Sequence, residues 1–284
     1  MQYLVLVILI FTMTLASVFK QQYNDRCKGG TFFFNCIVAL VAMAVFVVFN
    51  RDWNYSVALL PYSAGFATAY ASASIFALLA IRYGSFGKTS LIISFSLLIP
   101  TLYGLLFLDE ALNATKIVGL VLLVISLVLT NYEKDSSRVT MRWVIFVILA
   151  FVGNGMCSTV QKMEQVAFPD GVGKDLFMIV ALAISATVML ICALTLPAER
   201  AVIPNALKKG WLPALLGGIA TGLTNYLATW LNPRLPASVL FPVLSAGGIV
   251  LSFLYSTLFL KERFGVRQTA GFAIGVVSIV LLNL

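Results

Sequence analysis

Apolar runs of about twenty residues recur along the whole chain, separated by short stretches that carry charge, glycine or proline, and each run is long enough to cross a hydrocarbon core. Reading from break to break predicts ten membrane-spanning helices, at 2–19, 31–49, 57–81, 89–108, 114–131, 143–161, 175–196, 211–232, 237–260 and 267–283. The longest connections, roughly 161–174 and 197–210, carry Pro169, Gly171, Gly173, Pro197 and Pro204 and are too short for a soluble domain. The first run has the length of a secretory leader, but no basic segment precedes it, so it reads as a membrane helix.

A fixed shift of 152 positions aligns Leu60–Asn131 with Leu212–Asn283 without a gap. The matches fall on residues with special geometry or charge: Leu60-Pro61 with Leu212-Pro213, Gly65 with Gly217, Arg82 with Arg234 and Tyr103 with Tyr255. Phe107-Leu108-x-Glu110 then meets Phe259-Leu260-x-Glu262, followed by Gly119 with Gly271, Ser126 with Ser278 and Asn131 with Asn283. Ser17-Val18-Phe19-Lys20 is similar to Thr159-Val160-Gln161-Lys162 at the start of each half. The expected fold is therefore an all-α polytopic membrane protein of two five-helix repeats, 1–136 and 137–284. An odd number of helices per unit starts the second copy on the opposite side of the bilayer, an inverted repeat suited to alternating access.

Composition agrees with a membrane protein: of 284 residues 61% are hydrophobic and 11% charged. The net charge of +8 comes from isolated basic residues between apolar runs, without the basic stripe that nucleic acid requires. Fourteen Lys and Arg residues follow odd-numbered helices and five follow even-numbered ones, which predicts a multi-pass protein of the cell membrane with both termini outside the cytoplasm. Cys27, Cys36, Cys157 and Cys192 have no ligand spacing and there is no histidine, so neither a metal nor a cofactor is expected. No nucleophile elbow, P-loop or paired carboxylates at mid-depth suggests an enzyme.

Candidate solute contacts are the polar residues inside or at the ends of the apolar runs. Ser17, Lys20, Thr159 and Lys162 occupy the matching ends of the first and sixth helices; either lysine can snorkel to headgroups or hold an anion in a central cavity. Tyr70 and Ser72 on the third helix and Thr224 and Asn225 on the eighth belong to duplicated polar clusters, which line a cavity or join helices. Ser96 before Pro100 and Ser245 before Gly247-Gly248 mark similar breaks in apolar helices, and Asn154 is a further candidate contact. Glu110 and Glu262 are read as caps on the start of the following helix. No carboxylate falls well inside a predicted span, which favours a neutral, zwitterionic or anionic solute, although Tyr70, Tyr226 and Trp230 offer faces for an organic cation.

The tails YGLLFLDEALNATKIVGLVLLVISLVLTN and YSTLFLKERFGVRQTAGFAIGVVSIVLLN resemble the EamA-like families of the drug/metabolite transporter superfamily, through a helix ending F-L-x-E and a glycine-containing helix, each occurring twice. Asp109 and Lys261 stand where that family often has glycine. The resemblance implies a secondary transporter of small organic metabolites by alternating access, with the first, third, fourth, sixth, eighth and ninth helices around the pathway. An amino acid or related carboxylate is the expected solute class. A multidrug or organic-cation exporter of the same fold and a non-transporting scaffold subunit are the alternatives. Gly218-x-x-x-Gly222 and Gly271-x-x-x-Gly275 are expected to pack helices closely, and such motifs permit a homodimer in the bilayer.

Overall fold

The computed structural model describes residues 2–51, 53–108, 113–131, 140–170, 173–235 and 237–282. Every regular element among them is helical. Helix α1 spans Gln2–Arg26 and α2 Thr31–Phe49; a 3₁₀ turn at Val57–Leu59 leads into α3, Leu60–Tyr83. Helix α4, Phe86–Ser94, continues through a 3₁₀ turn at Phe95–Leu97 into α5, Leu98–Phe107, and α6 is Ala114–Asn131. After it come α7 (Met141–Ala167), α8 (Lys174–Thr195) and two short helices, α9 (Pro197–Arg200) and α10 (Ile203–Lys209). The chain then forms α11 (Trp211–Leu231), α12 (Ala237–Leu258) and α13 (Val266–Leu282).

Among the described residues six stretches, Gln2–Arg26, Thr31–Phe49, Val57–Tyr83, Phe86–Phe107, Met141–Ala167 and Lys174–Thr195, are long and apolar enough to cross a membrane. Helix α11 has comparable length but carries Thr221, Thr224 and Asn225 in its middle. Large apolar side chains are widely exposed on the outside, including Val48, Leu106, Phe107, Val128, Ile191 and Val266. An apolar coat of that extent is suited to lipid rather than water.

The 3₁₀ turn between α4 and α5 has a local cause. Pro100 lacks the amide that would bond the Ser96 carbonyl, so the ladder tightens across Phe95–Leu97 instead of continuing as α-helix. Two helices extend beyond their apolar runs: α1 to Arg26 rather than Phe19, and α7 to Ala167 rather than Gln161. The correction matters for Glu164, which thereby sits within a helix and is only 3% exposed, so a buried carboxylate does occur in a candidate membrane span.

Side by side, α3 packs along α7 and α1 along α11, α2 lies on α8 and α11, α6 on α13, and α12 on α4 and α5. In lipid such packing derives from close contact and interhelical hydrogen bonds, since lipid tails are as apolar as the helices. The α2–α3–α8 core is dense, with Phe46, Phe66, Phe177, Met178 and Met189 almost fully buried. Gly218 and Gly222 of α11 face Val41, Ala42 and Val45 of α2, with no room for a Cβ. Between α6 and α13, Ser126 donates to the Gly271 carbonyl at 2.6 Å and Ser278 to the Gly119 carbonyl at 2.7 Å.

Glu262 does accept free amides at a helix start, but not those of the following helix. Its carboxylate takes Phe86 N at 2.9 Å and Gly87 N at 3.0 Å, which begin α4, while the Gly265 amide ahead of α13 bonds Gln268 Oε1. The α12–α13 connection reaches across to the other half of the chain. Glu110 and Asn283 lie outside the described residues.

Candidate functional site

Six helices enclose a cavity of about 170 Å³. From α1 it is faced by Met13, Ala16, Ser17 and Lys20, and from α7 by Asn154, Cys157, Ser158 and Gln161. Helix α3 contributes Tyr70, Ala73, Ser74 and Ala77, and α11 contributes Thr221, Thr224, Asn225 and Ala228. Each set has the spacing i, i+3, i+4, i+7, one stripe along a helix. Ser90, Ser94 and Leu97 close it from the α4 side, and Phe241, Leu244 and Ser252 from α12.

Asn154 is held by the backbone on both sides. A Cβ on Gly153 would lie 2.6 Å from Ala73 N, and one on Gly155 would lie 2.7 Å from Ser96 O, so α7 touches α3 and the α4–α5 break at once. Only glycine permits that approach. Between these glycines, Asn154 Nδ2 donates to Ser96 Oγ at 2.7 Å, and Ser96 Oγ donates to the Ile93 carbonyl at 2.6 Å. Because the serine proton is committed to Ile93, Asn154 must present its amide hydrogens to Ser96 and keeps its oxygen as an acceptor.

Lys20 is half-buried in the wall, and the titratable side chain that faces it is the Cys157 thiol; no carboxylate pairs with it among the described residues. The Ser90 hydroxyl is buried without a hydrogen-bond partner. Tyr70 places its hydroxyl beside Ser74, and Thr224 links α11 to α1 through Thr12 at 3.1 Å. At one end Gln161 Nε2 donates to Thr229 Oγ1 at 2.6 Å, and beyond it opens a second hollow of about 330 Å³.

The structure brings together Ser17, Lys20, Tyr70, Asn154, Thr224 and Asn225 around the cavity. Five other candidates are elsewhere. Ser96 stands behind Asn154; Ser72 donates to the Leu149 carbonyl at 3.4 Å on the α3–α7 seam; Ser245 donates to the Ser94 carbonyl at 2.7 Å. Thr159 turns onto the Gly155 carbonyl of its own helix at 2.9 Å, and Lys162 Nζ reaches Gln165 Oε1 at 3.5 Å and the Asn232 carbonyl at 3.4 Å. The sequence match pairs Lys20 with Lys162, whereas the cavity stripes pair Lys20 with Gln161 and Ser17 with Ser158. One residue along a helix is a rotation of about 100°, enough to move Lys162 off the cavity face.

Gln161, Ser158 and Cys157 are cavity residues that the sequence reading passed over; stepping three, four and seven residues on from Asn154 would have reached all three. Two aromatics considered for an organic cation are engaged away from it. Tyr226 stacks on Phe49 at 4.9 Å, and Trp230 carries the Arg234 guanidinium 3.8 Å above its ring.

No protein-family model and no curated protein matches the chain. Among solved structures 28 chains match in fold. One of them, described only as "Crystal structure of protein", superposes with a TM-score of 0.71 over 99% of this chain and 98% of its own, at 13% sequence identity. At that identity the likeness speaks for the fold, which is shared from end to end.

Proposed function

We propose that this protein is a secondary transporter of ten membrane helices in two inverted repeats, an EamA-like member of the drug/metabolite transporter superfamily, moving a small organic solute with an anionic group by alternating access. The observation that carries the proposal is Lys20: a half-buried ammonium in a polar cavity ringed by six helices, with no carboxylate partner among the described residues. A cation so placed is costly unless an anion meets it. The free Asn154 oxygen, the unpartnered Ser90 hydroxyl and the Tyr70 hydroxyl then suit the hydroxyl or ammonium groups of an amino acid or related carboxylate.

In this reading the ten spans are α1, α2, α3, α4 with α5, and α6, followed by α7, α8, α11, α12 and α13. Exchanging the two halves turns the α1–α11 contact into α7–α3 and leaves the α2–α8 and α6–α13 contacts unchanged, which is what a two-fold relation between halves requires. The reciprocal Ser126–Gly271 and Ser278–Gly119 bonds support it residue by residue. The 14 to 5 distribution of basic residues favours termini outside the cytoplasm.

Thermal unfolding of the detergent-purified protein against amino acids, organic acids, sugars and cationic drugs tests the reading through binding linkage. Stabilisation by carboxylates is expected, weakened roughly 10- to 100-fold in Lys20→Met, with exchange of the same solute across liposomes. Stabilisation by carboxylates that Lys20→Met leaves intact, or by cationic drugs alone, rules out the role given to Lys20.

A further inference from the structure

The second hollow, beyond the Gln161–Thr229 bond, contains polar groups that the solute cavity does not use. Glu164 on α7 is 3% exposed and Asn232, at the end of α11, is 1% exposed, and both line it. Glu164 Oε1, Asn232 Oδ1 and Asn232 Nδ2 have no hydrogen-bond partner. Buried side-chain atoms are seldom left so, and three on two residues facing one hollow mark a place where something binds. Whichever way the Asn232 amide is turned, an oxygen without a partner is available, because neither end of the amide is bonded.

The chemistry of a fitting ligand follows from these atoms. A carboxylate oxygen and an amide oxygen are acceptors, and together they call for a cation or a charged donor. The basic residues nearby are placed differently. Arg234 is held over the Trp230 ring and donates to the Trp230 carbonyl, Lys162 Nζ is placed on Gln165 Oε1 and the Asn232 main-chain carbonyl rather than on the Asn232 side chain, and Lys174 acts on Glu164 electrostatically from the start of α8, opposed there by Asp175. Asp170 is exposed at the rim. Among the described residues there is no cluster of three or more His, Cys, Asp or Glu, so the charge needed for a divalent metal is lacking.

We propose that this hollow is a binding site for a monovalent cation, held by Glu164 and the Asn232 side-chain oxygen. The cation is either an alkali ion or the ammonium group of an organic solute; both present the same charge to the same two oxygens. Gln161 lines both this hollow and the solute cavity, so an occupant sits one side chain away from the solute. The site does not depend on the transporter reading, since it can be measured as binding to detergent-purified protein.

Thermal unfolding is followed by tryptophan fluorescence in tetraethylammonium chloride, whose bulky cation has no N–H donor, replaced stepwise at constant chloride by NaCl, KCl or methylammonium chloride. A saturable rise in Tm with one or more of these salts is expected, with half-saturation moved upward roughly 10- to 100-fold in Glu164→Gln. Asn232→Ala is expected to shift it in the same direction and serves alone if the first variant does not fold. A response confined to Na⁺ or K⁺ assigns the site to an alkali ion, and one confined to methylammonium assigns it to an amine. A folded wild-type protein indifferent to all three salts, or a response retained by the folded variants, overturns the proposal.

Discussion

Gly155→Ala isolates the contact on which the position of Asn154 depends. The added methyl would lie 2.3 Å from Ile99 Cδ1 and 2.7 Å from the Ser96 carbonyl oxygen. Ile99 can change rotamer, but the carbonyl is backbone, and restoring an ordinary contact of about 3.4 Å requires α7 and the α4–α5 break to separate by about 0.7 Å. Overpacking of this kind costs about 1–3 kcal/mol, several degrees of Tm for a chain of this size. The separation also stretches the 2.7 Å bond from Asn154 to Ser96, so the affinity for a stabilising solute should fall together with Tm. Gly65→Ala on α3 is the matched control, because its methyl would meet Val160 at 3.7 and 3.8 Å, ordinary contact, while gaining up to about 1 kcal/mol of helix propensity. The assay is thermal unfolding of both variants in one detergent, with solute titration of each. Equal Tm for the two, or a destabilised Gly155→Ala that binds solute as well as the wild type, would refute the reasoning.

Two further predictions concern the contacts between the halves. Ser126→Ala and Ser278→Ala each remove one buried interhelical bond and should lower stability equally, by about 0.6–1.7 kcal/mol, with the double variant close to the sum; unequal losses in unfolding experiments would argue against symmetric roles. Glu262→Ala frees the Phe86 and Gly87 amides at the start of α4 and should cost about 1–2 kcal/mol, read as faster hydrogen exchange at Gly87, while Glu262→Gln keeps one acceptor and loses less.

Hydropathy located the six stretches that are long and apolar enough to cross a membrane, because lipid demands long apolar runs, but it marks where an apolar run stops and not where the helix ends. Gln21 to Arg26 and Lys162 to Ala167 are polar or mixed yet continue α1 and α7, so Lys20 falls within a helix and Glu164 becomes buried. The polar cavity was legible in part: Ser17, Lys20, Tyr70, Asn154, Thr224 and Asn225 were all visible as polar residues in apolar runs. Facing is a finer matter than placement. Thr159, Lys162, Ser72 and Ser245 have the right chemistry at the right depth, and a rotation of about 100° per residue decides which of them meets a cavity and which meets a neighbouring helix. Glu262 escaped for another reason: its partner amides are remote in the chain, and no local pattern announces a cap supplied from the other half.

Under the proposed inverted repeat, residues that match between halves and residues that differ are expected to do different work. Ser126 meets Gly271 and its match Ser278 meets Gly119, so the same contact forms twice only if both copies keep the serine and the glycine. A solute has no such symmetry. On the cavity stripes Lys20 holds the place that Gln161 holds in the other half, Met13 that of Asn154 and Tyr70 that of Thr221, so the charge lies on α1 while amides face the cavity from α7 and, at Asn225, from α11. An anion drawn to Lys20 leaves the rest of the solute to the amides of Asn154, Gln161 and Asn225, and the Gln161–Thr229 bond lies at the boundary with the hollow of Glu164 and Asn232. In that arrangement the repeat supplies two conformations of one scaffold, and the departures from it supply the orientation of the solute within it.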